Sequence, residues 1–189
     1  MKHESSNQFL TPHFELREFV ASRTARDHGI NNTPPEEAVE NLRALCEHTL
    51  EPLREALGLP IVVTSGYRCK ALNHLLVNHS VKSQHMNGQA ADFYVGEGPV
   101  SSSKVLGRAK RQSRAQGSSV QSASRRELLI KAFRLIITSE QIDYDQLILY
   151  PSFIHVSYVS RERNRRKLTR AFSNGIYDAL TRAEALTLE

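Results

Sequence analysis

The sequence predicts one domain of mixed helix and strand, and three observations point that way. Residues 33–57 and 127–139 carry apolar side chains at helical spacing. Short β-branched or alternating runs fall at 61–65, 90–95, 144–150 and 153–159. A chain of 189 residues is long enough to bury a core, and one domain is the default at that length.

The elements follow in order. Residues 1–12 read as a loosely docked end, and Met1–Gln8 lacks the apolar segment of a secretory signal. Phe14 to His28 reads as one short helix with Phe14, Leu16, Phe19 and Val20 apolar, stopped by Gly29. Thr33-Pro34-Pro35-Glu36-Glu37 predicts a helix start: Thr33 as N-cap, proline in the first turn, then acids at the positive end of the dipole. Ala38, Val39, Leu42, Leu45, Cys46, Leu50, Leu53 and Leu57 give that helix an apolar face. Pro52 predicts a kink or split, and Gly58 the end.

Ile61-Val62-Val63-Thr64-Ser65 reads as a buried strand, and Gly66-Tyr67-Arg68 turns out of it. Cys69 to Val77 reads as a short helix with Leu72, Leu75 and Leu76 inward, and 78–87 as a polar loop. Ala90 to Val95 is a second strand. Glu127 to Ser139 is an amphipathic helix through Leu128, Leu129, Ala132, Phe133, Leu135 and Ile136. Tyr144–Tyr150 and Phe153–Val159, joined by Pro151-Ser152, form an antiparallel hairpin. Strand alternation places Phe153, His155 and Ser157 on one face of it. Beyond Arg170 the chain is polar, with one short helix at about 178–186.

Composition excludes several classes. No apolar run approaches the roughly 18 residues that span a bilayer. Cys46 and Cys69, the two cysteines of a chain without an export signal, are expected as reduced thiols. Of the net charge of +5, the Ser-rich tract at about 96–126 carries more than all: seven Lys/Arg against Glu97. A second basic cluster runs from Arg161 to Arg170. Either could meet a polyanion, but the plain expectation is a solvated loop and a solvated strand edge. No aromatics interleave with the first tract, which argues against nucleic acid. A structureless stretch this long inside a domain is disordered or functional.

The chemistry concentrates in Ser83-Gln84-His85-Met86-Asn87-Gly88-Gln89-Ala90-Ala91-Asp92. His85 and Asp92 are seven residues apart, and His155 comes 63 residues later. Two His and one Asp suffice to hold a catalytic zinc with a fourth position for water. Gly88 permits close approach or a positive φ, and Ala90 and Ala91 leave room. The same residues also fit an ordinary loop histidine, a capping aspartate and a hydrogen-bonded core histidine.

The order Ser65-Gly66-Tyr67-Arg68, Leu72-Asn73, Ser83-x-His85-x-x-Gly88-x-Ala90-x-Asp92, Asp145-Gln146-Leu147-Ile148 and His155-Val156-Ser157 resembles the M15 zinc peptidases. These include D-Ala-D-Ala carboxypeptidases, D,D-dipeptidases and phage L-alanyl-D-glutamate endopeptidases. The likeness runs over about residues 9–160, excluding the basic tract. It implies an α+β fold: a small antiparallel sheet with helices on one side and the zinc site on the sheet. It implies zinc held by His85, Asp92 and His155, and Arg68 binding substrate or the tetrahedral oxyanion. Ser83 would hydrogen-bond within the metal loop, and Asn73 would be structural. Many relatives carry a catalytic acid where Ser152 or Tyr150 stands here. Asp145 is then the nearest matched carboxylate, as catalytic group or as a residue fixing the hairpin or a ligand histidine; Asp143 is the weaker candidate. The implied substrate is a peptidoglycan peptide, met in the cytoplasm or at the wall after release from a phage-infected cell. The departures leave a second expectation open: a metal-containing module that binds peptidoglycan or protein without hydrolysis.

Overall fold

The computed structural model of the chain describes residues 8–77, 80–96 and 124–188. Residues 97–123 of the basic tract therefore lie outside the described residues, as does Met1–Asn7.

Of the end expected to be loosely docked, the described residues from Gln8 on are held in place. Phe9–Thr11 (β1) pairs antiparallel with Phe14–Glu15 (β2), and Leu10 and Phe14 are buried. The single helix expected from Phe14 to His28 is β2 followed by Leu16–Val20 (α1) and Arg23–Asp27 (α2). Ala21 is extended, and Ser22 Oγ accepts the Ala25 N–H at 3.2 Å, so a serine cap restarts the helix.

Glu36–Leu45 (α3), a π-helical turn at Cys46–Leu50 and Glu51–Leu57 (α4) follow one another in right-handed helical backbone. The helix starts after Pro35; Thr33 instead donates its N–H and hydroxyl to Asn31 Oδ1. Pro52 sits in the first turn of α4. Having no N–H, it cannot bond the carbonyl four residues back. That carbonyl, of His48, accepts the Asp143 N–H at 2.9 Å, while Thr49 Oγ1 donates to Asp143 O at 2.6 Å. The expected kink is thus a widened turn whose freed acceptor anchors a distant loop. Gly58, at φ 63°, ends α4.

Ile61–Ser65 (β3), Lys70–Leu75 (α5), a 3₁₀ turn at Gln84–Asn87 and Ala90–Val95 (β4) come next. Leu72 is buried as expected, but Leu75 is half exposed. Arg125–Thr138 (α6) opens on a capping box between Ser124 and Glu127. Gln146–Leu149 (β5), Ile154–Ser157 (β6), Lys167–Ala171 (β7), Tyr177–Leu180 (β8) and Arg182–Thr187 (α7) complete the chain. Among the described residues, no helix is long and apolar enough to cross a membrane.

The larger sheet has six strands in the order β3-β4-β6-β5-β7-β8. The expectation of a small antiparallel sheet alone is corrected here: β5 and β7 run parallel, and the sheet is mixed. The reason lies in the basic cluster after Ser160. Buried Asp143 pairs with Arg161 at 2.9 Å and Arg166 at 2.8 Å, and buried Asp145 binds Arg165. Two buried acids cannot stay unpaired, so the arginines are drawn in and the loop returns the chain beside β5. Strand β8, expected as part of a helix, is an exposed edge.

One sheet face is the core. Ala91, Phe93, Leu147, Leu149, Ile154 and Val156 cluster with Leu42, Leu45 and Leu53 of the helices and Leu129, Phe133 and Ile136 of α6. The Val, Leu, Ile and Phe side chains among these each contribute roughly 1.5–3 kcal/mol on full burial. The register puts Asp92 opposite His155, His155 opposite Ile148 and Ile148 opposite Thr169, so these four form one row on the other face.

Candidate metal centre

His85 is placed by contacts on both sides of its turn. Gly88 closes the 3₁₀ turn at φ 70°, and a Cβ there would lie 2.2 Å from the Ala38 carbonyl oxygen of α3. Only glycine lets the turn sit this close. On the other side, His85 O accepts the Arg68 N–H at 3.1 Å, and His85 Nδ1 lies 2.7 Å from Gly66 O. That contact assigns the proton to Nδ1 and leaves the Nε2 lone pair facing inward. Gly66 packs against Phe19 so closely that a Cβ would meet its backbone at 2.6 Å.

Asp92 and His155 come from neighbouring strands in direct register. Asp92 Oδ1 is 2.8 Å from His155 Nδ1 and 3.4 Å from His85 Nε2, and the two histidine nitrogens are 3.2 Å apart. Ligand atoms bound at about 2.0–2.2 Å around a tetrahedral ion stand about 3.3–3.6 Å from one another. The His85–Asp92 and His85–His155 separations lie close to that spacing, Asp92 and His155 are drawn closer by their direct hydrogen bond, and two imidazoles with one carboxylate form a zinc-type donor set. Burial pulls His85 below the usual imidazole range, and Asp92 beside it acts the other way. Burial opposes ionisation of Asp92, but His85 and the hydrogen bond from His155 outweigh it and hold the carboxyl well below its usual range.

The trio opens into a cleft of about 750 Å³ that Arg68, Tyr150, Phe153 and Tyr177 also line. Arg68 donates to Ser83 Oγ at 3.4 Å, and its Nε has no partner among the described residues. Burial lowers the Arg68 pKa while Asp92 and Tyr150 raise it, and a guanidinium remains cationic throughout. Its turn is braced by Asn32, which accepts the Cys69 N–H at 2.8 Å and donates to Tyr67 O at 3.1 Å. Buried Asn73 donates to Ser80 O at 3.0 Å, a structural role.

Asp145 is not brought to the trio. Its carboxylate accepts from the Arg165 backbone at 2.7 Å, from Arg165 Nε at 2.9 Å and from Gln84 Nε2 at 2.8 Å. Burial works against its ionisation, but the Arg165 hydrogen bonds hold its carboxyl below the usual range. Arg165 in turn donates to Gln84 Oε1 at 3.1 Å. Asp145 thus grips the residue before His85 and the loop before β7. Asp143 serves the Arg161 and Arg166 pairs. Ser152 is exposed in the hairpin turn and does not line the cleft. Among the described residues, Asp92 is the one acid of the cleft lining, against Arg68, Lys82, Arg165 and Lys167.

Sequence reading missed Asn32, Gln84, Arg165 and Tyr177. Gln84 stood inside the motif, which was its signal; the others act across 27 to 81 residues of chain. The family model described as Peptidase M15 matches residues 12–126, which hold Arg68, His85 and Asp92 and stop short of His155. No curated protein matches the chain.

Proposed function

This chain belongs to the peptidase M15 family, and we propose that it is a zinc-dependent peptidase of bacterial cell-wall peptides, hydrolysing bonds beside D-amino acids. What supports the reading is one observation. His155, outside the matched stretch, joins His85 and Asp92 with all three ligand atoms within 4.8 Å of one another.

His85 Nε2, Asp92 Oδ1 and His155 Nδ1 would hold the zinc. Bound there, zinc supplies Lewis acidity to the carbonyl under attack and to water. The protein's own groups do the rest. Arg68 offers a fixed positive charge at the cleft to a substrate carboxylate or to the oxyanion as charge develops. Asp145 is a positioning residue: through Gln84 it steadies the turn that carries His85, and through Arg165 it holds a cation at the cleft. Four cations against one acid favour a substrate with carboxylates. Such peptides are met in the cytoplasm or at the wall after phage release.

The lining favours a second reading. With Asp92 the one acid at the cleft among the described residues, the site would hold metal and bind a stem peptide without turnover. Incubating zinc-loaded protein with muropeptides, beside a His85→Ala control, decides. Zinc-dependent cleavage is the expected result. Binding without cleavage selects the second reading, and neither binding nor cleavage removes both.

A further inference from the structure

The end of β5 carries an arrangement that the metal centre does not use. Tyr150 continues the β5–β6 pairing, its N–H donating to Phe153 O at 3.0 Å. Ile148 faces His155, so Tyr150 is the diagonal neighbour of His155 on the same face of the sheet. Diagonal neighbours are about 7–8 Å apart, within reach of an aromatic side chain.

The Tyr150 ring has little freedom. It stacks on Phe153 at 4.2 Å with 11° between planes and meets Tyr177 edge-on at 6.1 Å. Arg126 of α6 donates to the Tyr150 carbonyl at 3.2 Å. The two phenol oxygens lie 3.2 Å apart, and both tyrosines line the cleft. Paired hydroxyls hold two protons: one bridges them, and the other is left to point outward, polarised by the internal bond. Burial and the bond to Tyr177 push the Tyr150 phenol above its usual range, so it keeps its proton. Lys82, Arg165 and Lys167 in the same cleft draw an anionic or carbonyl oxygen toward that donor.

We propose that the Tyr150–Tyr177 hydroxyl pair is a substrate anchor, donating one hydrogen bond to a carbonyl or carboxylate oxygen of the bound peptide on the β8 side of the metal centre. It sets the register of the peptide and leaves the bond-breaking step to the trio and Arg68. The residue after β5 and the first residue of β8 supply the pair, so the part of the chain beyond residue 126 shares in selecting the substrate. The inference rests on the reading of the cleft as a peptide site.

The test uses Tyr150→Phe, Tyr177→Phe and the double variant of the full-length zinc-loaded protein. Each removes a hydroxyl and keeps a ring. The probe is a synthetic peptidoglycan stem pentapeptide, followed by kcat and KM where wild type turns it over and by calorimetric Kd where it does not. Each single variant is expected to raise KM or Kd about 5–20-fold, with kcat within about twofold. The double variant is expected to be no worse than the poorer single, because the hydroxyls act as a unit. Unchanged thermal midpoints show that the ring packing survives. A fall in kcat at constant KM overturns the proposal, as do losses that multiply in the double variant. Wild type that engages the peptide beside three unchanged variants overturns the anchor alone; wild type that neither cleaves nor binds overturns the peptide-site reading and the anchor together.

Discussion

Gly88→Ala tests whether close packing between the 3₁₀ turn and α3 sets the position of His85. Two costs add. At φ 70° the residue is left-handed, which costs a non-glycine residue about 1–2 kcal/mol. The new Cβ would lie 2.2 Å from Ala38 O and 2.9 Å from Ala38 C, both backbone atoms of a helix. A neighbour that near must move by about 1 Å, and overpacking of this kind costs roughly 1–3 kcal/mol. The sum is about 2–5 kcal/mol, or a fall of roughly 5–15 °C in thermal midpoint for a chain of this size. Gly58→Ala is the control: φ is 63° and nothing lies within 4 Å, so it carries the backbone cost alone. Scanning calorimetry of the two variants separates strain from clash. A competition titration with a chromophoric chelator then reads zinc affinity, which should fall at least about tenfold in Gly88→Ala and stay level in Gly58→Ala. A Gly88→Ala protein with the same midpoint as Gly58→Ala and wild-type zinc affinity would refute the packing argument.

Other outcomes follow from the same geometry. Zinc present at about 100 times its Kd should raise stability by about 2.7 kcal/mol, seen as a midpoint that rises with zinc and falls with chelator. His155→Ala should abolish that zinc-dependent rise while leaving the metal-free midpoint within a few degrees; a preserved rise would place the ion elsewhere. Asp145→Asn should cost about 1 kcal/mol at neutral pH, since the Arg165 side chain is half exposed and partly screened. The sign of its pH dependence is set by the depressed folded pKa. The contribution is present above the unfolded carboxylate value of about 3.9 and is lost as pH falls below it through the folded value. Urea unfolding should show a constant gap between wild type and Asp145→Asn from about pH 5 to 8 that closes below about pH 4. A gap of full size at pH 2 would mean that the carboxylate charge is not its source.

Local signals carried much of the fold. The β-branched run at 61–65, the strand at 90–95 and the hairpin of β5 and β6 were legible because period-two alternation and turn residues report on the backbone directly. His85, Asp92, His155 and Arg68, which share one cleft, were picked out by the order of the motifs that resemble the peptidases; spacing alone also fitted a loop histidine, a capping aspartate and a turn cation. The parallel β5–β7 pairing was not, since it depends on buried Asp143 and Asp145 gripping arginines 18 to 23 residues away. Strand β8 hid because Tyr177-Asp178-Ala179 is exposed on an edge, where no alternation is enforced. The break at Ala21 turned on one serine cap, and the partners of Gln84 and of the His48 carbonyl that Pro52 leaves free lie far along the chain.

The assembly of the trio from two distant stretches has a consequence for how the protein is made. His85 and Asp92 leave the ribosome together, but His155 follows Asp92 by 63 residues. At about 5–20 residues per second, that is roughly 3–13 s of synthesis during which the nascent chain offers two ligands and no third. Strand β6 must then slot between β4, already made, and β5, made just before it. Metal capture would thereby wait until β6 is in place, so the pairing of β6 with β4 and the completion of the trio are one event.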